Sequence, residues 1–287
     1  MMPMKSFPDD LPWGQQQALL LLDGATVTDL PAQLKQLNPA AITIALFNRP
    51  PFVALEDISP LLVPVDRVDE PLVQFFLAHA HEEWGALLFS TEAPHDVAEH
   101  LRKLLTVETP DGHTVLLRLA DAAVMRALFD TEDPQLTGPL TCAVTADSRH
   151  GSWQIQRPIE FDTPTLQTPY RLSAGLDAAL TDVDQRRVLL DLDAHLLAHF
   201  PDQHVGDSVA SRWPALEQCQ AQAQSIGLST PSELLYYANV MAWLDGDSEQ
   251  HPQIHQLLHT PSLQSPGERV ALAAALAYDW AIQRGRP

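Results

Sequence analysis

Gly206-Asp207-Ser208-Val209-Ala210 places a serine among small residues at nearly the spacing of a nucleophile elbow. An elbow needs a strand directly before it, to carry the hydroxyl on a strained turn, and the preceding HFPDQHV is neither apolar nor extended in character. Ser208 or Asp207 therefore reads as a helix cap. His195 and His199 stand four apart on a helical stretch, a spacing that can chelate a metal, with Asp191 as a third ligand. His251, His255 and His259 repeat that spacing, interrupted early by Pro252. Neither set has the glutamate of a His-Glu-x-x-His motif, and hydrogen-bonded or solvated histidines are the expected role. Asp177, Asp182, Asp184, Asp191 and Asp193 lack the glycine and closing glutamate of a calcium loop, so they read as the wet face of a helix. Phosphate-binding glycine loops and dinucleotide fingerprints are absent. These readings assign no catalytic residue, no metal ligand and no cofactor. The alternative is a hydrolase or metal-dependent enzyme using Ser208 or the His195/His199 pair.

Two arginines are placed more pointedly. Arg102 lies on a helix whose other side carries Leu101, Leu104 and Leu105, and Arg118 closes the apolar run Val115-Leu116-Leu117, which reads as a covered strand. Between them Pro110-Asp111-Gly112 is a turn: proline presets one backbone angle and glycine accepts the left-handed one. Asp121 is a plausible N-cap for the helix bearing Val124, Leu128 and Phe129. Arg118 is expected to lay its stem over apolar surface and pair with Asp121. A ligand-binding arginine pair is the sharper reading.

Around this segment the first half alternates strands and helices. Ala18–Leu22 is an apolar strand stopped by Asp23-Gly24, with Asp23 as a turn-former. Leu30, Leu34 and Leu37 trace a short helix. Ala41–Phe47 predicts a second buried strand, whereas Ile58–Val63, flanked by prolines, predicts a short edge piece. A helix within Val68–Glu83, a strand over Trp84–Phe89 and further strands at Thr141–Thr145 and Trp153–Gln156 follow. The implied fold is a mixed α/β lobe with a largely buried sheet over 1–160, a linker at 161–172 with two prolines and no periodicity, and an all-helical bundle lobe over 173–287.

The chain has 37 acidic and 17 basic residues, a net charge of −20 that is spread through both halves. Such a surface repels nucleic acid and anionic membrane and favours a basic protein partner. Cys142 and Cys219 match no metal or redox spacing and suit a reducing cytoplasm. The amino terminus has prolines and acids where a signal peptide needs an apolar core, and no apolar run approaches a membrane span.

The segment His100–Asp130 resembles the signature of the type VI secretion effector-adaptor family, the chaperones encoded between a VgrG spike gene and its toxic cargo. His100-Leu101-Arg102, Pro110-Asp111-Gly112, Arg118 and Asp121 match that signature, although Leu119 and Ala122 stand where the family usually has an aromatic residue and a proline. Leu22-Asp23-Gly24-Ala25, the segment Ile58–Pro64 and Ser90 after the strand Trp84–Phe89 resemble further landmarks. The resemblance implies a two-lobed, non-enzymatic bacterial cytoplasmic protein that binds one cargo effector protein and hands it to the VgrG spike. Asp23, Gly24, Trp84, Arg102, Asp111, Gly112, Arg118 and Asp121 would then be signature residues with structural roles. Trp213, Tyr236, Tyr237 and Trp243 are the candidate partner-binding anchors.

Overall fold

A computed structural model describes residues 6–158 and 165–285. By its internal packing the chain divides into two units, the first ending at Val183 and the second starting at Asp184. The division falls inside one long helix. Of the expected linker, residues 161–164 lie outside the described residues; Leu166, Tyr170 and Leu172 are buried in the core of the first unit.

The first unit runs β1 (Gln17–Leu22), α1 (Leu30–Leu37), β2 (Ile44–Ala45), a 3₁₀ helix (Val53–Ile58), β3 (Leu61–Val65), α2 (Pro71–Ala78), a 3₁₀ turn (Ala80–Glu82) and β4 (Gly85–Ser90). It continues with α3 (Pro94–Leu104), β5 (Thr106–Glu108), β6 (Thr114–Leu116), α4 (Ala122–Asp130), α5 (Pro134–Thr137), β7 (Leu140–Asp147), β8 (Ser152–Gln156) and β9 (Tyr170–Arg171). Six strands form one sheet in the order β2-β3-β1-β4-β7-β8, with every neighbouring pair antiparallel. The period-two geometry of a strand sends alternate leucines of β1 to different cores. Leu19 and Leu21 join Leu88, Leu101 and Val124 under α3 and α4, while Leu20 and Leu22 join Leu87, Leu72 and Phe76 under α2. That is why β1 and β4 read as unbroken apolar runs. A small second sheet orders β6-β5-β9.

Three expectations change here. Ala41–Phe47 gives only two paired residues, because Ile42 is exposed and Leu46 and Phe47 leave the sheet to fill the core. The segment expected at the edge is β3, which pairs with β1 along five residues. Its Pro64 is tolerated because β2 covers only Leu61 and Leu62, leaving the rest of β3 unpartnered on that side. Val115–Leu117 is likewise no covered strand: Leu116 is exposed and only Leu117 is buried, because β6 hairpins back onto β5 at the small sheet's margin.

The second unit is helical. α6 (Ala174–His199) spans the division and is followed by α7 (Val209–Ser225), α8 (Pro231–Trp243), α9 (Pro252–His259) and α10 (Pro266–Gln283). Local chemistry starts these helices. Capping boxes Ser208/Ser211, Thr230/Glu233 and Ser265/Glu268 satisfy the first amides of α7, α8 and α10. Small residues Ala273, Ala274, Ala277 and Ala281 form the buried face of α10. α9 was not expected, because Pro252 looked like a breaker; it sits at the start of the helix, where its missing N–H is no loss.

Candidate functional site

Four of the signature residues, Asp23, Gly24, Arg102 and Arg118, meet the segment between β2 and β3 or the turn beneath it, whereas Trp84, Asp111, Gly112 and Asp121 lie elsewhere. Asp23 closes β1 and accepts hydrogen bonds from the Ala25 amide (2.9 Å) and the Thr26 hydroxyl (2.9 Å), the turn-forming role expected of it. Arg118 does not pair with Asp121. Its guanidinium reaches back to Asp23 Oδ2 at 2.8 Å and to Thr26 Oγ1 at 3.3 Å. Asp121 Oδ1 instead accepts the Ala123 amide at 2.8 Å and the Val124 amide at 3.4 Å, which starts α4. Burial alone would raise the Asp23 pKa; hydrogen bonds from Arg118, Thr26 and Ala25 outweigh it and hold the carboxyl below its usual range.

Arg102 is almost fully covered and lies over β2. It donates to the Ala45 carbonyl at 2.8 Å, to the Leu46 carbonyl at 3.4 Å, and to Glu99 Oε1 at 2.6 Å. Glu99 also holds Arg49 at 2.7 Å. Burial would raise the Glu99 pKa, but hydrogen bonds from Arg49 and Arg102 and their charges outweigh it and keep the carboxyl below the ordinary range. Gly24 lies so close to the chain beyond the 3₁₀ helix that a Cβ there would stand 2.3 Å from the Ser59 carbonyl oxygen. The Ser59 hydroxyl accepts the Phe47 amide at 2.9 Å. Gly112 is required for its backbone angle alone, with φ 89° at the tip of the β5–β6 hairpin and open space around it. Asp111 in that tip accepts the Thr109 hydroxyl. Trp84 is buried against Phe75, Phe76 and His79. Each arginine of the signature thus engages a carboxylate or carbonyl of the chain. Thr26, Ser59 and Glu99, which complete the arrangement, were not singled out as site residues. Only Ser59 lay within a recognisable landmark.

The aromatic candidates separate. Trp213 and Tyr237 lie in the core of the helical unit, where burial pushes the Tyr237 hydroxyl up to about 12. Tyr236 is 44% exposed and Trp243 is half-buried. Trp243 of α8 belongs to a row of rings: Phe200, just after α6, stands 5.7 Å from it and Tyr278 of α10 5.2 Å.

Asp193, expected on a wet helix face, is buried. Arg212 grips it with two bonds of 2.7 Å and His204 adds a third at 2.6 Å. Ser208 caps α7, accepting the Ser211 amide at 3.2 Å, and turns rather than a strand precede it. His195 Nε2 contacts Asn239 Oδ1 at 2.7 Å, with the His199 ring 4.6 Å away. Among the described residues no three His, Cys, Asp or Glu side chains converge in a way that could hold a metal ion, so Asp191 does not complete the histidine pair. No helix among the described residues is long and apolar enough to cross a membrane.

The arginines of the signature, in an α/β unit built on an antiparallel six-stranded sheet, are thus bound to the chain's own backbone and carboxylates. Residues 19–137 match the family described as "Domain of unknown function (DUF4123)". That domain is the one of the type VI secretion effector-adaptor family, whose signature residues 100–121 resemble. Along most of its length it is similar to the accessory protein VasW of Vibrio cholerae serotype O1, with 29% identity over 271 residues covering 92% of this chain and 88% of VasW. No solved structure matches the chain.

Proposed function

We propose that this protein is a bacterial cytoplasmic adaptor that binds one toxic type VI secretion effector and helps load it onto a VgrG spike. It acts through protein–protein contact, with no cofactor and no bond chemistry of its own. The observation that carries this reading is the family match over residues 19–137, the stretch that holds the tethered arrangement of Asp23, Gly24, Arg102 and Arg118. In the helical unit, Tyr236 and Trp243 are proposed as contact anchors, with Trp213 and Tyr237 supporting them from the core. Rigid aromatic side chains give much contact area for little ordering entropy. With a net charge of −20 the chain is suited to a basic protein partner and ill suited to nucleic acid or an anionic membrane. The test is co-expression with the genes on either side, followed by pull-down through a tag on this chain. Retention of the toxin-like neighbour, the spike-like neighbour or both at low salt, weakening as salt rises, is expected. Retention of neither at low salt would sink the proposal.

A further inference from the structure

The two arginines of the signature and the Asp23-Gly24 turn act on the segment between β2 and β3. Arg102 holds its start through the Ala45 and Leu46 carbonyls. Its far end is held where Ser59 lies against Gly24 and takes the Phe47 amide. Glu99 ties Arg49, within the segment, to Arg102. Arg118 braces the Asp23-Gly24 turn on which Ser59 rests. Fixing a loop this thoroughly costs on the order of 1–2 kcal/mol of backbone entropy per residue. The hydrophobic core uses only part of what is fixed: Leu46 and Phe47 are buried and Phe52 stacks on Phe47, whereas all six residues of the 3₁₀ helix are exposed. Three of those six are large aliphatic residues, Val53 at 48%, Leu55 at 41% and Ile58 at 43% exposure, and Glu56 and Asp57 carry charge between Leu55 and Ile58. Aliphatic surface held in water by tethers at both ends does nothing for folding, but it is preorganised for contact.

We propose that the 3₁₀ helix Val53–Ile58 is a docking surface for a partner-protein segment that presents aliphatic side chains flanked by lysine or arginine, and that Asp23, Gly24, Arg102 and Arg118 hold this helix in its binding conformation. The inference rests on the adaptor reading and gives it a site. Charge selects the occupant: Glu56 and Asp57 are acidic, and Arg49, the nearest cation in the segment, is engaged by Glu99.

The experiment uses the full chain with the purified products of the two flanking genes as probes, and measures each dissociation constant at low and high salt. Three variants are compared with the unaltered protein: V53S/L55S/I58S, E56K/D57K, and Y236A/W243A on the helical unit. The expected result is that the triple serine variant weakens binding to at least one probe by about tenfold or more, the scale of a hot-spot cluster. E56K/D57K weakens the same complex and flattens its salt dependence. Both sets of residues are exposed, and circular dichroism with thermal unfolding checks that each variant keeps its fold. Unchanged binding of both probes by both of these variants would overturn the inference and leave the adaptor reading standing, the more so if Y236A/W243A binds weakly. If the unaltered chain binds neither probe, both fail. Loss of self-association in the triple variant with no loss of probe binding would make the occupant a second copy and overturn the proposal.

Discussion

Asp23 finds Arg118 across 95 residues of chain, whereas Asp193 finds Arg212 across only 19. The first pair is half open to solvent, with Arg118 43% exposed; the second is closed, with both partners nearly covered and His204 on the same carboxylate. The long-range contacts of the first unit join separate segments and position a loop. The short-range contact of the second locks the turn after α6 against α7. Pairs of the same chemical type therefore do different work according to depth and span. An exposed pair adds little stability but fixes geometry, while a buried one is costly to break.

The sharpest way to break this contrast is Arg212→Ala. It strands a buried carboxylate and should lower the unfolding free energy by about 3–5 kcal/mol in urea titrations. A loss below ~1 kcal/mol would mean that Asp193 behaves like a surface acid and the contrast fails. The pH dependence sharpens the same point. Burial would raise the Asp193 pKa, but hydrogen bonds from Arg212 and His204 outweigh it, so the carboxyl titrates below its ordinary value of 3.8. A depressed carboxylate contributes stability above its unfolded pKa and loses it as pH falls through the folded one. Stability should therefore fall with acid below about pH 4, and in the Arg212→Ala variant that low-pH slope should flatten.

Gly24→Ala comes next. Its methyl group would meet the Ser59 carbonyl, and the loop must shift, at a cost of about 1–3 kcal/mol by thermal or urea unfolding. Arg118→Ala should cost only about 1 kcal/mol, because the guanidinium is half-exposed and Asp23 keeps the Ala25 amide and the Thr26 hydroxyl. Its clearer readout is faster amide hydrogen exchange over residues 53–59. Ser208→Ala should be the smallest effect, about 0.5–1 kcal/mol, the loss of one helix cap.

What could be read from the sequence was whatever has local spacing. Thr230 before Pro231 announces the start of α8, the leucine run announces β1, and the β-branched and aromatic residues near 141–156 announce β7 and β8. Partners far apart in sequence left no such mark. Arg118 sits three residues from an aspartate and pairs with another that is 95 residues away. Asp193 shares a helix with exposed acids, and only the turn carrying His204 and the first residues of α7 bury it. The run Ala41–Phe47 has the composition of a strand, yet Leu46 and Phe47 contribute more by packing under α3 than by pairing.

The strand order has a practical consequence for anyone who cuts the chain. Residues 19–137 stop just short of Leu140, where β7 begins. A fragment trimmed to those bounds would leave the hydrogen-bonding margin of β4 open beside Leu87, Leu88 and Phe89, an invitation to stick to its own copies. During synthesis the same margin waits until β7 has cleared the ribosome, so the nascent protein is most vulnerable to misassembly over that interval.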